Sequence, residues 1–167
     1  MWRFFRYLLA FFWGLLGLVW GQDLSDRDPI SIRIEYYLVR EEVDAEGNSF
    51  ERFSSVKKAQ LGDTIEFRLY VSHEGDKTLE PATVMITSPI PENMAYIFAS
   101  ATPSSERILT EFSGDGFSFS EPPVFQEGED EHLIIGPEAY RAIRWTLRYA
   151  FLPKQQESFF FRVRVLK

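Results

Sequence analysis

Two histidines and their neighbouring carboxylates are the side chains of this chain with the chemistry for metal binding or acid–base catalysis. His132 is the more suggestive, because it follows Glu127, Glu129, Asp130 and Glu131. A calcium loop needs acidic residues at alternating positions followed by glycine, and the segment "EGEDEH" lacks that order. An acidic run between strands is ordinarily a solvated loop. We therefore predict no metal site there, with cation binding left as an open alternative.

His73 and Asp115 lie in segments that are typical of turns. His73 stands in "SHEGDK" at the expected end of a strand, so we expect a solvated side chain rather than a ligand or general base. The segment "FSGDGFSF" is superficially similar to a nucleophile elbow, but Asp115 stands where that motif requires serine. We expect a Gly-Asp-Gly hairpin turn between Phe112 and Phe117.

Other patterns that would indicate catalysis are absent from the sequence. The chain has no cysteine, which excludes thiolate zinc sites, cysteine nucleophiles and a disulfide framework. It has no phosphate-binding loop, dinucleotide fingerprint or H-E-x-x-H motif. We therefore predict a protein that is not an enzyme, with no catalytic, cofactor-binding or metal-binding residues.

The N-terminal segment has the features of a secretory signal peptide. Arg3 and Arg6 precede an uncharged, largely apolar run of 14 residues from Tyr7 to Trp20, and polar and acidic residues follow. Val19 and Gly21 fit the small-residue positions of a cleavage site, so we predict cleavage after Gly21. A retained anchor is the alternative, but the run is shorter than the roughly 20 residues that span a bilayer.

Cleavage would divide the chain into a signal peptide, residues 1–21, and a domain, residues 22–167. Removing the 21 residues of the signal from the 167 of the chain leaves 146, the size of one domain. The signal removes two arginines, so the mature chain has 16 basic and 25 acidic residues and a formal charge of −9. Such a chain repels phosphate backbones, so we expect no nucleic-acid binding. Because cleavage removes the apolar run, we also expect no membrane span in the mature chain.

Alternation of apolar and polar residues predicts strands through most of the mature chain. In the N-terminal strand, from Ile30 to Val39, every second residue is apolar, and we expect this face to pack in the core. The turn from Asp44 to Asn48 predicts a hairpin with the strand that follows. Helical spacing is not sustained in any window, so the pattern predicts an all-β sandwich. Further strands are expected at 64–71, 82–86, 94–98, 108–112, 117–119, 133–135, 143–148 and 159–165.

The order of these turns and strands resembles a known family over about residues 55–167. The series runs through "LGDTIEFRLYVSHEGD", a Pro-x-Pro turn, "FSGDGFSF", "YRAIRW" and "LPKQQESFFFRVRV". It is similar to the conserved repeat domain of bacterial envelope proteins, known as domain of unknown function 11. The chain departs from the family at His73, Ser88 and Lys154, where asparagine, aspartate and glycine are usual. The matching positions are Gly62, Asp63, Gly75, Asp76, Pro89, Pro91, Tyr96, Asp115, Gly116, Arg144, Trp145 and Pro153.

The resemblance implies an immunoglobulin-like antiparallel β-sandwich that serves as a spacer or interaction module, with no catalytic residues to transfer. It also implies a secreted protein, in the periplasm or at the cell surface of a bacterium. Because the chain carries one copy of the pattern, we expect protein–protein interaction rather than spacing alone.

Two hypotheses on binding follow. The strand from Ile30 to Val39 lies outside the resemblance, and we expect it to be an added edge or swapped strand on which an envelope protein pairs. The alternative is a soluble periplasmic or extracellular ligand-binding protein, which needs an apolar pocket with a few polar groups. The loop from Pro122 to Gly136 would form its rim.

Overall fold

The structure describes residues 29–127 and 132–166, which contain ten β-strands and one short turn of 3-10 helix joined by turns and loops. The structure is a computed structural model. The predicted signal peptide and residues 128–131 of the acidic loop lie outside the described residues. The strands are β1 (Ile30–Val43), β2 (Ser49–Ser55), β3 (Thr64–His73), β4 (Met85–Pro89), β5 (Met94–Tyr96), β6 (Ile108–Ser113), β7 (Phe125–Glu127), β8 (His132–Ile134), β9 (Ala142–Leu147) and β10 (Gln156–Val165), and the helical turn is Pro137–Ala139.

Two antiparallel sheets contain eight of these strands. The larger sheet has five strands in the order β2-β1-β3-β10-β5, and the smaller has three in the order β4-β9-β6. β7 and β8 form a separate hairpin. Among the described residues, no helix is long and apolar enough to cross a membrane.

The two sheets pack face to face around an aromatic-rich core. Trp145 of β9 is fully buried and stacks on Phe159 of β10, with the ring centroids 5.1 Å apart. Burial of a large apolar side chain contributes about 1.5–3 kcal/mol. Because the chain has no cysteine, such packing stabilises the fold in place of disulfides. The predicted all-β, immunoglobulin-like antiparallel sandwich is confirmed as a single domain. Other inward side chains include Ile65, Phe67, Leu69, Val71, Ile143, Leu147, Phe161 and Val163.

Two predicted strands have other bounds in the structure. The strand expected at 82–86 is displaced toward the C-terminus, since β4 runs from Met85 to Pro89, because Ala82 adopts a φ of 63° in the preceding turn. The strand expected up to Phe98 ends at Tyr96, and Ala99 has a φ of 58°. A residue in the left-handed region does not continue an extended ladder, so Phe98, which was expected on the strand, is 71% exposed.

The segment 117–119 is not a strand, contrary to the prediction. The chain reverses at the Gly-Asp-Gly segment as expected, and Phe112 then pairs with Ser120 in an isolated bridge. Phe117 and Ser118 instead donate their backbone N–H groups to the Asp115 carboxylate, so these residues belong to the turn.

β1 differs most from its prediction. It lies between β2 and β3 and is not an edge strand, because β2 takes that place. Its expected core face is only partly covered, since Ile32, Ile34 and Tyr36 are 47%, 42% and 48% exposed, whereas Leu38 is buried. The cause is the unequal width of the two sheets, because three strands do not cover five.

Candidate binding surfaces

Contacts between the sheets establish how they are aligned. Trp145 of β9 lies over β10, where it stacks on Phe159. Phe112 of β6 contacts Tyr96 of β5, with ring centroids 5.2 Å apart. The remaining strand of the smaller sheet, β4, therefore lies over β3. Within the part of the chain that the structure describes, β1 and β2 have no strand above them.

The uncovered inner face of β1 forms an apolar stripe, which consists of Ile32, Ile34 and Tyr36. These three residues are paired in register with Val71, Leu69 and Phe67 of β3, so they point to the same side as the core. The ring of Tyr36 packs edge-on against Phe67 at 4.9 Å. The apolar stripe is thus a continuation of the core that ends in solvent.

Charged residues limit the apolar stripe at one end. Beyond the buried Leu38, the same face of the β1–β2 hairpin carries Arg40, Glu42 and Arg52. Arg52 donates to the Glu42 carboxylate at 3.2 Å. The apolar stripe therefore ends at Tyr36, before the buried Leu38, and its three exposed side chains cover about 13 Å along the strand.

Among residues 29–127 and 132–166, no strand pairs with the edge of β4 that faces away from β9. Leu147 donates its backbone N–H to Val84, and Ile90 donates to Arg141, so the even-numbered residues of this segment exchange hydrogen bonds with β9. Antiparallel pairing alternates, so the backbone groups of Met85 and Thr87 point to the opposite side. Because β4 ends the strand order of its sheet, no described strand pairs there.

A groove of about 490 Å³ lies on the opposite side of the sandwich, between β5 and β6. Tyr96, Phe112 and Tyr140 are buried at its base, and the exposed Phe98 forms one wall. Of the loop that was expected to form a rim, Pro122 lines the groove. The remaining lining residues are Ala99, Ala101, Thr102, Pro103, Ser104, Thr110 and Glu121.

Few polar atoms converge on the groove. The Tyr96 hydroxyl accepts the backbone N–H of Ala101 at 3.2 Å, and burial raises the pKa of Tyr96. Burial and the nearby Tyr96 also raise the pKa of Tyr140. Ser104 donates to the Glu121 carboxylate at 3.0 Å. The groove is thus an apolar concavity with hydroxyl and carboxylate groups at its margin.

A network of charged side chains covers the outer face of the larger sheet. Arg162 donates to both Glu51 oxygens and, at 2.8 Å, to Glu66. Glu66 also accepts from Arg68 at 2.6 Å and is only 4% exposed. All four groups are satisfied within the network, so its geometry is that of a structural clamp rather than of a binding site.

His73 is fully buried, so the predicted solvated side chain is wrong. It continues the inward alternation of β3, and its ring meets Phe151 edge-on at 5.7 Å. Gly75 lies so near Pro29 that an added Cβ would stand 2.8 Å from the proline Cβ. Neither ring nitrogen of His73 has a hydrogen-bond partner among the described residues.

The other predicted positions of interest lie in the turn after β6 and in the β7–β8 hairpin. Asp115 accepts two backbone N–H groups and the Ser113 hydroxyl, which hold the pKa of its carboxyl well below its usual range. In the acidic loop, Glu127 and His132 are paired positions of the β7–β8 hairpin, and the residues between them lie outside the described part. Elsewhere in the described residues, no group of three or more His, Asp or Glu side chains is arranged to hold a metal ion.

Comparisons with known proteins gave no match: no family model, no curated protein and no solved structure matches this chain. The structure by itself defines a single-domain antiparallel β-sandwich with one side left open. Its two candidate binding surfaces are the apolar stripe beside β4 and the groove between β5 and β6.

Proposed function

We propose that this protein is a non-enzymatic interaction module, secreted to the periplasm or the cell surface of a bacterium, that binds another protein through the apolar stripe. The observation that carries the proposal is the exposure of Ile32, Ile34 and Tyr36 on the inner face of a sheet. Contiguous apolar surface of this kind is typical of interaction sites. Covering each half-exposed side chain would contribute roughly 1 kcal/mol, about half of the value for complete burial.

Two features of the sequence support the proposed secretion to the periplasm or the cell surface. The segment 1–21 has the charge and apolar pattern of a signal peptide. Residues 55–167 resemble the repeat domain of bacterial envelope proteins. The absence of a recognisable catalytic motif in the sequence favours binding over catalysis.

The test is an affinity capture of the tagged protein from its own envelope fraction after mild crosslinking, with mass spectrometry of what is retained. The variant Ile34→Lys places a charge in the apolar stripe. Leu152→Lys is the matched control, because Leu152 is also about half exposed but lies in the turn before β10. We expect the wild-type protein and the control to retain the same envelope protein and Ile34→Lys to lose it. Equal recovery by all three would overturn the proposal.

The groove supports a second candidate, a soluble ligand-binding protein. Its volume of about 490 Å³ is within the range of small-molecule sites, about 300–1,000 Å³. Native mass spectrometry of the protein purified from its host would test it. A retained small molecule that Ser104→Trp displaces and Leu152→Lys leaves in place would support this function, and a protein that is free of ligand would contradict it.

A further inference from the structure

We propose that the partner supplies one extended segment, which pairs with the free edge of β4 and lays alternate apolar side chains on the apolar stripe. This inference rests on the proposed function and names the kind of partner. It follows from two surfaces that meet at one place: a backbone edge that needs hydrogen bonds and an apolar face that needs covering.

The backbone edge is short. Met85 and Thr87 point their N–H and C=O groups away from β9. Pro89 lacks an N–H group and closes the edge at one end, and Ala82, in the left-handed region, closes it at the other. A guest strand would therefore pair with about three to five residues.

The apolar stripe lies where the inward side chains of such a guest would point. A strand added beside β4 would extend the smaller sheet by about 4.8 Å and stand over β1. Every second side chain of the guest would then face Ile32, Ile34 and Tyr36, which follow one another at the same two-residue period. Pairing of a guest strand with an exposed edge, together with pockets for alternate side chains, is a general mode of peptide recognition.

A second copy of the sandwich does not fit this place. β1 and β2 extend the larger sheet two strands beyond β4, which is about 10 Å. A second sandwich that paired its own β4 with this edge would bring its larger sheet into the layer that β1 and β2 already occupy. The overhang thus leaves room for an isolated strand or hairpin and excludes an intact domain.

The chain's own N-terminus also has the wrong composition. If the signal is cleaved after Gly21, the residues before Pro29 are "QDLSDRD", with Leu24 as their one apolar residue. The apolar stripe needs three apolar side chains at alternate positions. With the signal cleaved after Gly21, the guest is a segment of another protein.

The test uses the isotope-labelled mature protein and two synthetic peptides of the same composition. The first, Lys-Val-Thr-Ile-Thr-Val-Lys, alternates apolar and polar residues, and the second, Lys-Val-Ile-Val-Thr-Thr-Lys, does not. The lysines complement the net negative charge of the chain. We expect the alternating peptide to bind at least about ten-fold more tightly, to shift the methyl signals of Ile32 and Ile34, and to protect the amides of Met85 and Thr87 from hydrogen exchange. Equal binding of the two peptides, or binding without protection of these amides, would overturn strand pairing.

A pair of variants at one position isolates the backbone contribution. Thr87→Pro removes the N–H group that faces the free edge and keeps the bonds to β9, whereas Thr87→Val keeps that N–H and changes only the side chain. We expect Thr87→Pro to leave the unfolding midpoint of the sandwich unchanged and to lower the affinity for the alternating peptide about ten-fold. Thr87→Val should bind the peptide as tightly as the wild type.

The same variants separate this inference from the proposed function. If Ile34→Lys loses the envelope partner and Thr87→Pro retains it, the protein is an interaction module that does not use strand pairing. If both variants retain the partner, the proposed function fails as well. If the wild-type protein forms a concentration-dependent dimer and Thr87→Pro dissociates it, a second copy does occupy the edge of β4 and the inference is wrong.

Discussion

Arg162 in β10 donates two parallel hydrogen bonds to the Glu51 carboxylate in β2, at 2.6 and 2.7 Å, although 111 positions separate the two residues. The same guanidinium reaches Glu66 in β3 at 2.8 Å. Two strands, β1 and β3, lie between β2 and β10 in the sheet. The contact therefore fastens the overhanging hairpin of β1 and β2 to the centre of the sandwich.

Removal of Arg162 should destabilise the protein more than removal of an exposed arginine. In Arg162→Ala the buried Glu66 would keep Arg68 as its one remaining arginine partner. Loss of one charge-assisted bond to a buried carboxylate, reduced because Arg162 is partly exposed, should lower the free energy of unfolding by about 1–2 kcal/mol. The measurement is urea denaturation followed by tryptophan fluorescence.

Arg52→Ala is the matched control for this prediction. Arg52 pairs with Glu42 on the hairpin at 3.2 Å, and both side chains are exposed. Such a pair contributes about 0–1 kcal/mol. Equal effects of the two substitutions would show that the network on Arg162 is no more than a surface ion pair.

The sequence predicts the central strands better than the margins of the fold. Alternation identifies which side chains share a face of a strand, and in β3 and β10 that face is covered by the smaller sheet. In β1 the alternation is equally regular, but Ile32, Ile34 and Tyr36 are about half exposed. Alternation does not report how far the opposite sheet extends, so the apolar stripe could not be predicted from it.

For His73 the sequence did contain a usable signal. The residue lies two positions beyond Val71 and so continues the inward alternation that begins at Ile65. The neighbouring turn residues favoured an exposed position instead. β3 extends two residues beyond the predicted strand, because Ile30 and Ser31 of β1 pair with His73 and Ser72.

Replacement of His73 by an apolar residue of similar size should stabilise the protein. Its two ring nitrogens are buried without a hydrogen-bond partner among the described residues, and an unsatisfied buried polar group costs about 1–3 kcal/mol. His73→Leu removes that cost and keeps most of the packing on Phe151, so we expect the free energy of unfolding to rise by about 1 kcal/mol.

Val71→Ala is the control, since Val71 lies one inward position before His73 and is also fully buried. It should lower the free energy of unfolding by about 1–3 kcal/mol through the lost burial and the cavity that remains. Destabilisation of His73→Leu to the same extent would mean that the imidazole is satisfied by a group outside the described residues or by a buried water.

Lys154 should be a site where glycine stabilises the fold. It has a φ of 64° in the turn between Phe151 and β10. A side chain in the left-handed region costs about 1 kcal/mol, so Lys154→Gly should raise the thermal midpoint by several degrees. Lys77→Gly, in an exposed loop without positive φ, should leave it unchanged or lower it. A lower midpoint for Lys154→Gly would show that contacts of the lysine outweigh the backbone strain.

Tyr149 should be among the last tyrosines to ionise. Burial and the hydrogen bond that its hydroxyl donates to Glu157 at 2.6 Å raise the pKa of Tyr149 to about 12. A raised pKa in the folded state means that the folded protein retains this proton while the unfolded chain loses it. The contribution of Tyr149 to stability is therefore complete below about pH 10 and is lost as the pH rises toward 12.

Absorbance titration of the phenolate band can detect this directly. In Tyr149→Phe the component that titrates near pH 12 should disappear, whereas Tyr36→Phe, which removes the hydroxyl of a half-exposed tyrosine, should leave it in place. Glu157→Gln should shift the same component to lower pH, because the neutral amide no longer opposes the phenolate through its charge. If Glu157→Gln leaves the titration unchanged, burial alone raises the pKa of Tyr149 and the bond to Glu157 contributes nothing to it.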